Sequence, residues 1–147
     1  MLDEYSIHHI GYCVTNLNKS IEKFRVLGFS SIGDTVEDTS RNVKIQFMKK
    51  SAHIIELIAP LNLEVKSPVD RILSQVGSTP YHLCFEVVDI EKDIEPLKKK
   101  GFILIEKPRK ALAIGNSLVA FMFANHVGLI ELVQLKRGFS FDRGNKK

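Results

Sequence analysis

The sequence has no tryptophan, only two cysteines among 147 residues, and no apolar run near the roughly 20 residues that span a bilayer. Each absence excludes something. Cys13 and Cys84 cannot build a disulfide framework, so a reduced, cytoplasmic setting is expected. Without a long apolar run, no membrane partner is expected. Met1-Leu2-Asp3-Glu4 is acidic and opens no apolar h-region, so no secretory signal is expected. Basic residues exceed acidic ones by 21 to 17, a net charge of only +4. The excess gathers at Lys98-Lys99-Lys100 and in a tail over 136–147 that carries Lys136, Arg137, Arg143, Lys146 and Lys147. A nucleic-acid surface needs a basic stripe interleaved with aromatics. With three tyrosines and no tryptophan, no nucleic-acid partner is expected. The clusters read as a solvated helix end and a tail, though a basic surface also attracts anionic small molecules. The remaining composition, 44% hydrophobic and 26% charged, is that of one soluble globular domain.

What the sequence does contain is a repeat. His9-Ile10-Gly11-Tyr12-Cys13-Val14 aligns with His82-Leu83-Cys84-Phe85-Glu86-Val87 at an offset of 73. At that offset Ile21 meets Ile94, Phe24 meets Leu97, and Gly28-Phe29 meets Gly101-Phe102. Val43 to Phe47 resembles Ser117 to Phe121 at 74, and Ile55-Glu56-Leu57 meets Ile130-Glu131-Leu132 at 75. Each half predicts a strand (Ile7 to Val14; His82 to Val87), an N-cap (Asn16; Asp89) and a helix (Leu17 to Leu27; Ile90 to Lys100). The helices show apolar faces at Leu17, Ile21, Phe24 and Leu27, and at Ile90, Ile94 and Leu97. Gly28 and Gly101 sit where a helix ends, and Pro96 should kink the second helix or mark a weak first turn. Three strands follow in each half: near Phe29 to Gly33, Val43 to Lys49 and Ala52 to Ala59, then Phe102 to Glu106, Leu118 to Phe123 and Gly128 to Leu135. The fold class is therefore α+β, with two tandem βαβββ modules in one domain. Module 5–60 and module 80–135 are joined by a linker, 61–79, with a short helix at Val69 to Val76, and the basic tail is 136–147.

Four polar residues interrupt these apolar strands at equivalent places. His9 and His82 lie on the first strand of each half. Glu56 and Glu131 lie on the last, between Ile54-Ile55 and Leu57-Ile58, and between Leu129-Ile130 and Leu132-Val133. A carboxylate in such a run has to be paired, protonated or bound to a metal. If the modules pair about a pseudo-twofold axis, all four converge on one centre. Two imidazoles and two carboxylates suit one divalent ion: Ni, Co, Zn, Mn or Fe. Oxygen donors and room for water favour six-coordination over a closed structural zinc site. Strand alternation turns His8 to the opposite face from His9, and His53 away from Glu56. His126 sits in a turn. Cys13 and Cys84 share the faces of His9 and His82, where they line the pocket or fill it as small buried residues.

The runs His9 to Val14, Ile55 to Pro60, Tyr81 to Val87 and Gly128 to Gln134 resemble the vicinal oxygen chelate superfamily. Within it they are most similar to glyoxalase I and methylmalonyl-CoA epimerase, over about residues 5 to 135. The resemblance implies a curved mixed sheet around a metal, with ligands at His9, Glu56, His82 and Glu131. It implies a metal-dependent lyase or isomerase that moves a proton α to a carbonyl through a metal-stabilised enolate of a thiol adduct or thioester. Glu131 and Glu56 are both candidates for the base. It also implies a small-molecule substrate and a homodimer. Ser67-Pro68-Val69, Lys98 to Gly101 and Val119-Ala120-Phe121 look epimerase-like. Where epimerases usually carry a Glu before the third strand, this chain has Ser40, with Glu37 and Asp38 displaced. Arg25, Arg41 and Arg109 are candidates to hold carboxylates of a thiol carrier such as glutathione. The alternatives are a non-catalytic sequestering protein of the bleomycin-resistance type and an Fe(II) ring-cleaving dioxygenase, which uses two His and one Glu.

Overall fold

The computed structural model describes residues 5–141. Its elements are β1 (Ile7–Cys13), α1 (Leu17–Val26), β2 (Ser30–Asp38), β3 (Val43–Lys50), β4 (His53–Pro60), α2 (Asp70–Val76), β5 (Thr79–Glu86), α3 (Ile90–Lys99), β6 (Ile103–Ala111), β7 (Ser117–Ala124) and β8 (Gly128–Gln134), with a 3₁₀ turn at Leu112–Ile114. The order βαβββ occurs twice. By compactness the described chain forms two units, residues 10–81 with Phe141, and residues 5–9 with 82–140. In the first, the strands lie in the order β2-β3-β4-β1. In the second, the opening of β1 joins the order β5-β8-β7-β6, with the Glu86 amide donating to the Ser6 carbonyl at 2.9 Å. No helix among the described residues is long and apolar enough to cross a membrane.

Helices α1 and α3 begin and end alike because the same residue types stand at their ends. Asn16 and Asp89, both extended, accept from the amides of Lys19 and Lys92 at 3.0 and 3.2 Å. At the other end, Gly28 and Gly101 take φ values of 97° and 96°, which a side chain would resist. Phe29 N–H then donates to Phe24 O and Phe102 N–H to Leu97 O, both at 3.0 Å, closing a Schellman motif on each helix. The apolar faces predicted from spacing are buried at Leu17 and Ile21, and at Ile90, Ile94 and Leu97. Leu27 is not part of that face: as the C-cap of α1 it is turned out and is 58% exposed. Pro96 lies inside α3, beyond its first turn, and the helix runs on to Lys99.

Helices α1 and α3 each cover one face of the strands of their own unit. In one unit Val14, Leu17, Ile21, Met48, Ile55 and Leu57 form a core, bordered by Phe24 and Phe29. In the other Val87, Ile90, Ile94, Met122, Ile130 and Leu132 do the same, bordered by Phe102. These are the repeat partners of the sequence, packed in matching roles. Within each unit the first strand pairs in parallel with the last. Gly11 stands opposite Glu56, and Cys84 opposite Glu131. A strand alternates its faces, so Ile55 and Leu57 turn to the helix while Glu56 turns away, as Glu131 does between Ile130 and Leu132.

Several strands exceed their predicted spans. β2 reaches Asp38 and β6 reaches Ala111, both terminal in their unit's strand order. Register shifts between Ile32 and Val36, and around Glu106 and Arg109, accommodate Gly33 and Pro108 there. β5 begins at Thr79, so Pro80 lies inside a strand rather than in a turn. Asn42, at φ 56°, ties the connection after β4 to the start of β3. Its side-chain amide donates to the carbonyls of Asn62 and Val65 at 2.9 and 2.8 Å, and its Oδ1 accepts from Asn62 N–H at 2.9 Å. Replacing Asn42 with Ala removes these bonds and places a disfavoured residue at positive φ. We expect Asn42→Ala to lower the unfolding free energy by about 2–4 kcal/mol, read as a reduced urea midpoint.

Candidate metal centre

Three of the four sequence candidates meet in one unit. His9 comes from β1, His82 from β5 and Glu131 from β8, and all are buried. Glu131 Oε1 lies 3.1 Å from His9 Nε2 and 3.0 Å from His82 Nε2. The two Nε2 atoms are 3.3 Å apart. Neither imidazole contact gives that oxygen a hydrogen bond of good geometry, although it is fully shielded from solvent. Phe121 sets the ring of His82 edge-on, with centroids 5.3 Å apart. The fourth candidate, Glu56, belongs to the other compact unit, where it is buried on β4.

This triangle fits a metal ion. Zinc and similar divalent ions bond imidazole nitrogen and carboxylate oxygen at about 2.0–2.2 Å. Ligands at right angles on such an ion are roughly 3 Å apart, and tetrahedral ones roughly 3.4 Å. The observed separations of 3.0, 3.1 and 3.3 Å match one triangular face of a coordination sphere. Burial by itself pushes the Glu131 carboxyl up. The contacts and charges of His82 and then His9 outweigh it and hold the group well below the usual carboxylate range, so it is present as an anion.

The other histidines divide. His53 is exposed, and His126 occupies a turn at φ 71°. His8 corrects the expectation from alternation. It is buried, and its Nδ1 lies 2.8 Å from His9 Nδ1, with the two rings edge-on. The burial pattern of β1 runs exposed, buried, buried, exposed over residues 7–10, so strict alternation fails at the His-His pair. The adjacent identical residue is the signal, and two-residue periodicity obscures it.

Both cysteines are completely buried. Cys13 donates its thiol to the Thr79 carbonyl at 3.5 Å, and burial pushes its pKa up, which suits an inert structural role. Cys84 brings its sulfur within 4.8 Å of ring nitrogens of His8 and His9. The candidate carboxylate-binding arginines have local partners. Arg25 donates to Ser31 Oγ at 3.4 Å, Arg41 pairs with Asp38 at 3.1 Å, and Arg109 pairs with Glu106 at 2.9 Å. Glu37 is exposed, and Ser40 donates its hydroxyl to Asp38 at 2.7 Å. Asp38, buried at the end of β2, also accepts from the Arg41 amide. The basic residues Arg143, Lys146 and Lys147 lie outside the described residues.

A β1-β5-β8 convergence of imidazoles and carboxylate, on paired βαβββ modules, defines a class of metal-binding scaffold. The chain belongs to the Glyoxalase/Bleomycin resistance protein/Dioxygenase superfamily, whose family model matches residues 8–121. It is 25% identical over 114 residues to a mitochondrial methylmalonyl-CoA epimerase of Dictyostelium discoideum, covering 77% of this chain and 68% of that protein. Among solved structures, a hypothetical protein of Bacillus halodurans C-125 superposes with a TM-score of 0.81 at 26% identity, over 92% of this chain and 97% of the other. The methylmalonyl-CoA epimerase of Mycobacterium tuberculosis gives 0.75 at 26% identity, over 88% and 87%.

Asp38 supplies a pH prediction. Burial raises its pKa, but the Ser40 and Arg41 hydrogen bonds and the Arg41 charge outweigh that, and the net shift is downward from 3.8. A lowered folded pKa contributes stability above the unfolded value and loses it as pH falls through the folded one. Asp38→Asn is expected to cost about 2 kcal/mol at pH 7. The gap to the parent protein should close as pH drops below 3.8, measured by urea unfolding across a pH series.

Proposed function

We propose that this chain is a metal-dependent isomerase of the epimerase type, shifting a proton at the carbon α to a thioester carbonyl. The observation that carries the reading is the buried triangle of His9 Nε2, His82 Nε2 and Glu131 Oε1, with sides of 3.0 to 3.3 Å. Glu56 is the fourth donor of the proposal. Its support is the register: Gly11↔Glu56 repeats Cys84↔Glu131, and Gly11 and Cys84 each follow their histidine by two residues. Likeness to methylmalonyl-CoA epimerases favours a thioester over a hemithioacetal as substrate.

The residues divide the work as follows. With an ion bound, His9 and His82 would offer it neutral Nε2 lone pairs and Glu131 its carboxylate, whose negative charge the ion itself would offset. A divalent ion held there supplies Lewis-acid stabilisation of negative charge developing on a carbonyl oxygen. A carboxylate removes the α-proton and returns it to a neighbouring or opposite face, the role for which Glu131 and Glu56 are the two candidates. Apolar neighbours on β4 and β8 exclude water, which strengthens each of these interactions. The proposal includes a homodimer as the working form, which sedimentation at several concentrations would establish.

The test begins with metal content of the purified protein. We expect about one divalent ion per chain and exchange of the methylmalonyl-CoA α-proton into deuterated water, followed by NMR. Glu131→Gln should slow exchange by roughly 10²- to 10⁴-fold if it is the base, and Glu56→Gln should do so if Glu56 is. A protein that takes up no ion would overturn the reading. Exchange only with hemithioacetals would move the activity to the glyoxalase type.

A further inference from the structure

His8 is a buried histidine for which proton transfer at the metal centre has no use. It is only 2% exposed, and it is adjacent to a proposed ligand. Its Nδ1 meets His9 Nδ1 at 2.8 Å, short for a bond between two ring nitrogens. The rings are edge-on, 79° apart, with centroids 5.1 Å apart. Two nitrogens this close need one proton between them, since two lone pairs or two N–H groups would repel.

Which ring carries that proton is fixed by the opposite nitrogen of His9. Its Nε2 faces Glu131 and His82, at 3.1 and 3.3 Å. A ligating Nε2 has to be a bare lone pair, and a neutral imidazole then keeps its proton on Nδ1. From this geometry we infer that His8 is a positioning residue for the metal centre. His9 Nδ1–H donates to His8 Nδ1, which turns the His9 ring and selects the tautomer whose Nε2 faces the triangle. His8 carries its own proton on Nε2. This inference rests on the metal reading proposed above and adds to it a residue outside the proposed donor set.

Metal-ligating histidines are commonly oriented by a carboxylate, a carbonyl or water on their second nitrogen, and loss of that partner costs 10- to 100-fold in metal affinity. Here a neighbouring imidazole takes that place. Asn at position 8 retains an acceptor oxygen near the place of Nδ1, whereas Leu retains only bulk. Zinc affinity, measured by competition with a chelator, should fall 10- to 100-fold in His8→Leu and stay within a few-fold in His8→Asn. In the parent protein with ¹⁵N-labelled histidine and bound zinc, long-range ¹H–¹⁵N spectra should show one histidine protonated on Nδ1 with its Nε2 on the ion. That Nδ1 proton should be strongly downfield. Its resonances are assigned by their loss in His9→Gln.

The outcomes separate the two claims. A parent protein that binds no zinc overturns both. A parent protein that binds zinc through His9 while His8→Leu binds equally well overturns the inference about His8 alone. So does a zinc-bound His9 without a proton on Nδ1. If His8→Leu does not fold, the tautomer seen in the parent protein decides.

Discussion

A carboxylate buried on an apolar strand is the constraint on which the rest of this structure turns. Glu131 lies between Ile130 and Leu132, both packed in the helix-side core. Alone there, an ionised carboxyl would cost several kcal/mol and would protonate instead. It stays ionised because the contacts and charges of two imidazoles within 3.1 Å outweigh that cost. That arrangement demands three strands in fixed register: β1 and β5 to deliver the histidines, and β8 to deliver the acid. A slip of one residue in β8 would turn Glu131 into the helix core and Ile130 onto the donors. Register and chemistry are therefore the same constraint.

Duplication explains how a small chain satisfies it. Each βαβββ unit places one helix on one face of its strands, and thereby fixes which residues of β4 and β8 are left for the other face. Pairing the first strand with the last in parallel then sets Gly11 opposite Glu56 and Cys84 opposite Glu131. The apolar cores of the two units are built from repeat-equivalent residues, Ile21 with Ile94 and Leu57 with Leu132 among them. The burial that stabilises each unit also points its acid away from its helix. Burial alone therefore aims the two carboxylates.

Much of this is legible in the residues, for physical reasons that differ by element. Helix ends are plain because Asn16, Asp89, Gly28 and Gly101 answer local demands of backbone geometry that the sequence carries whole. The donors are plain because a Glu in an isoleucine-rich strand is too costly to bury without a partner. The extent of β2 and β6 is not. Both strands are polar, both are terminal, and their pairing is held by partners rather than by their own pattern, with Gly33 and Pro108 masking the continuity. Leu27 escapes the pattern because helical spacing continues past the point where the chain has already turned. His8 escapes it because alternation is a rule for regular strands, and β1 departs from it at the His-His pair.

The same physics separates what the donor set decides from what it leaves to the loops. The proposed set of two carboxylates and two neutral imidazoles would carry a charge of −2, which a divalent ion would bring to zero. In a buried site that balance matters, because residual charge in low dielectric is costly. An amide at the place of Glu56 would leave one positive charge for the substrate to offset. With Glu56 in the proposed set, a neutral centre would have no need of an anionic ligand. In the proposed reading, selection between a thioester and another carbonyl compound would fall to groups outside the donor set. Asp38, Ser40 and Arg41 neutralise and hold one another at the end of β2. A fold alone does not fix function, so in the proposed reading the donors would decide what kind of charge is stabilised and other groups the substrate.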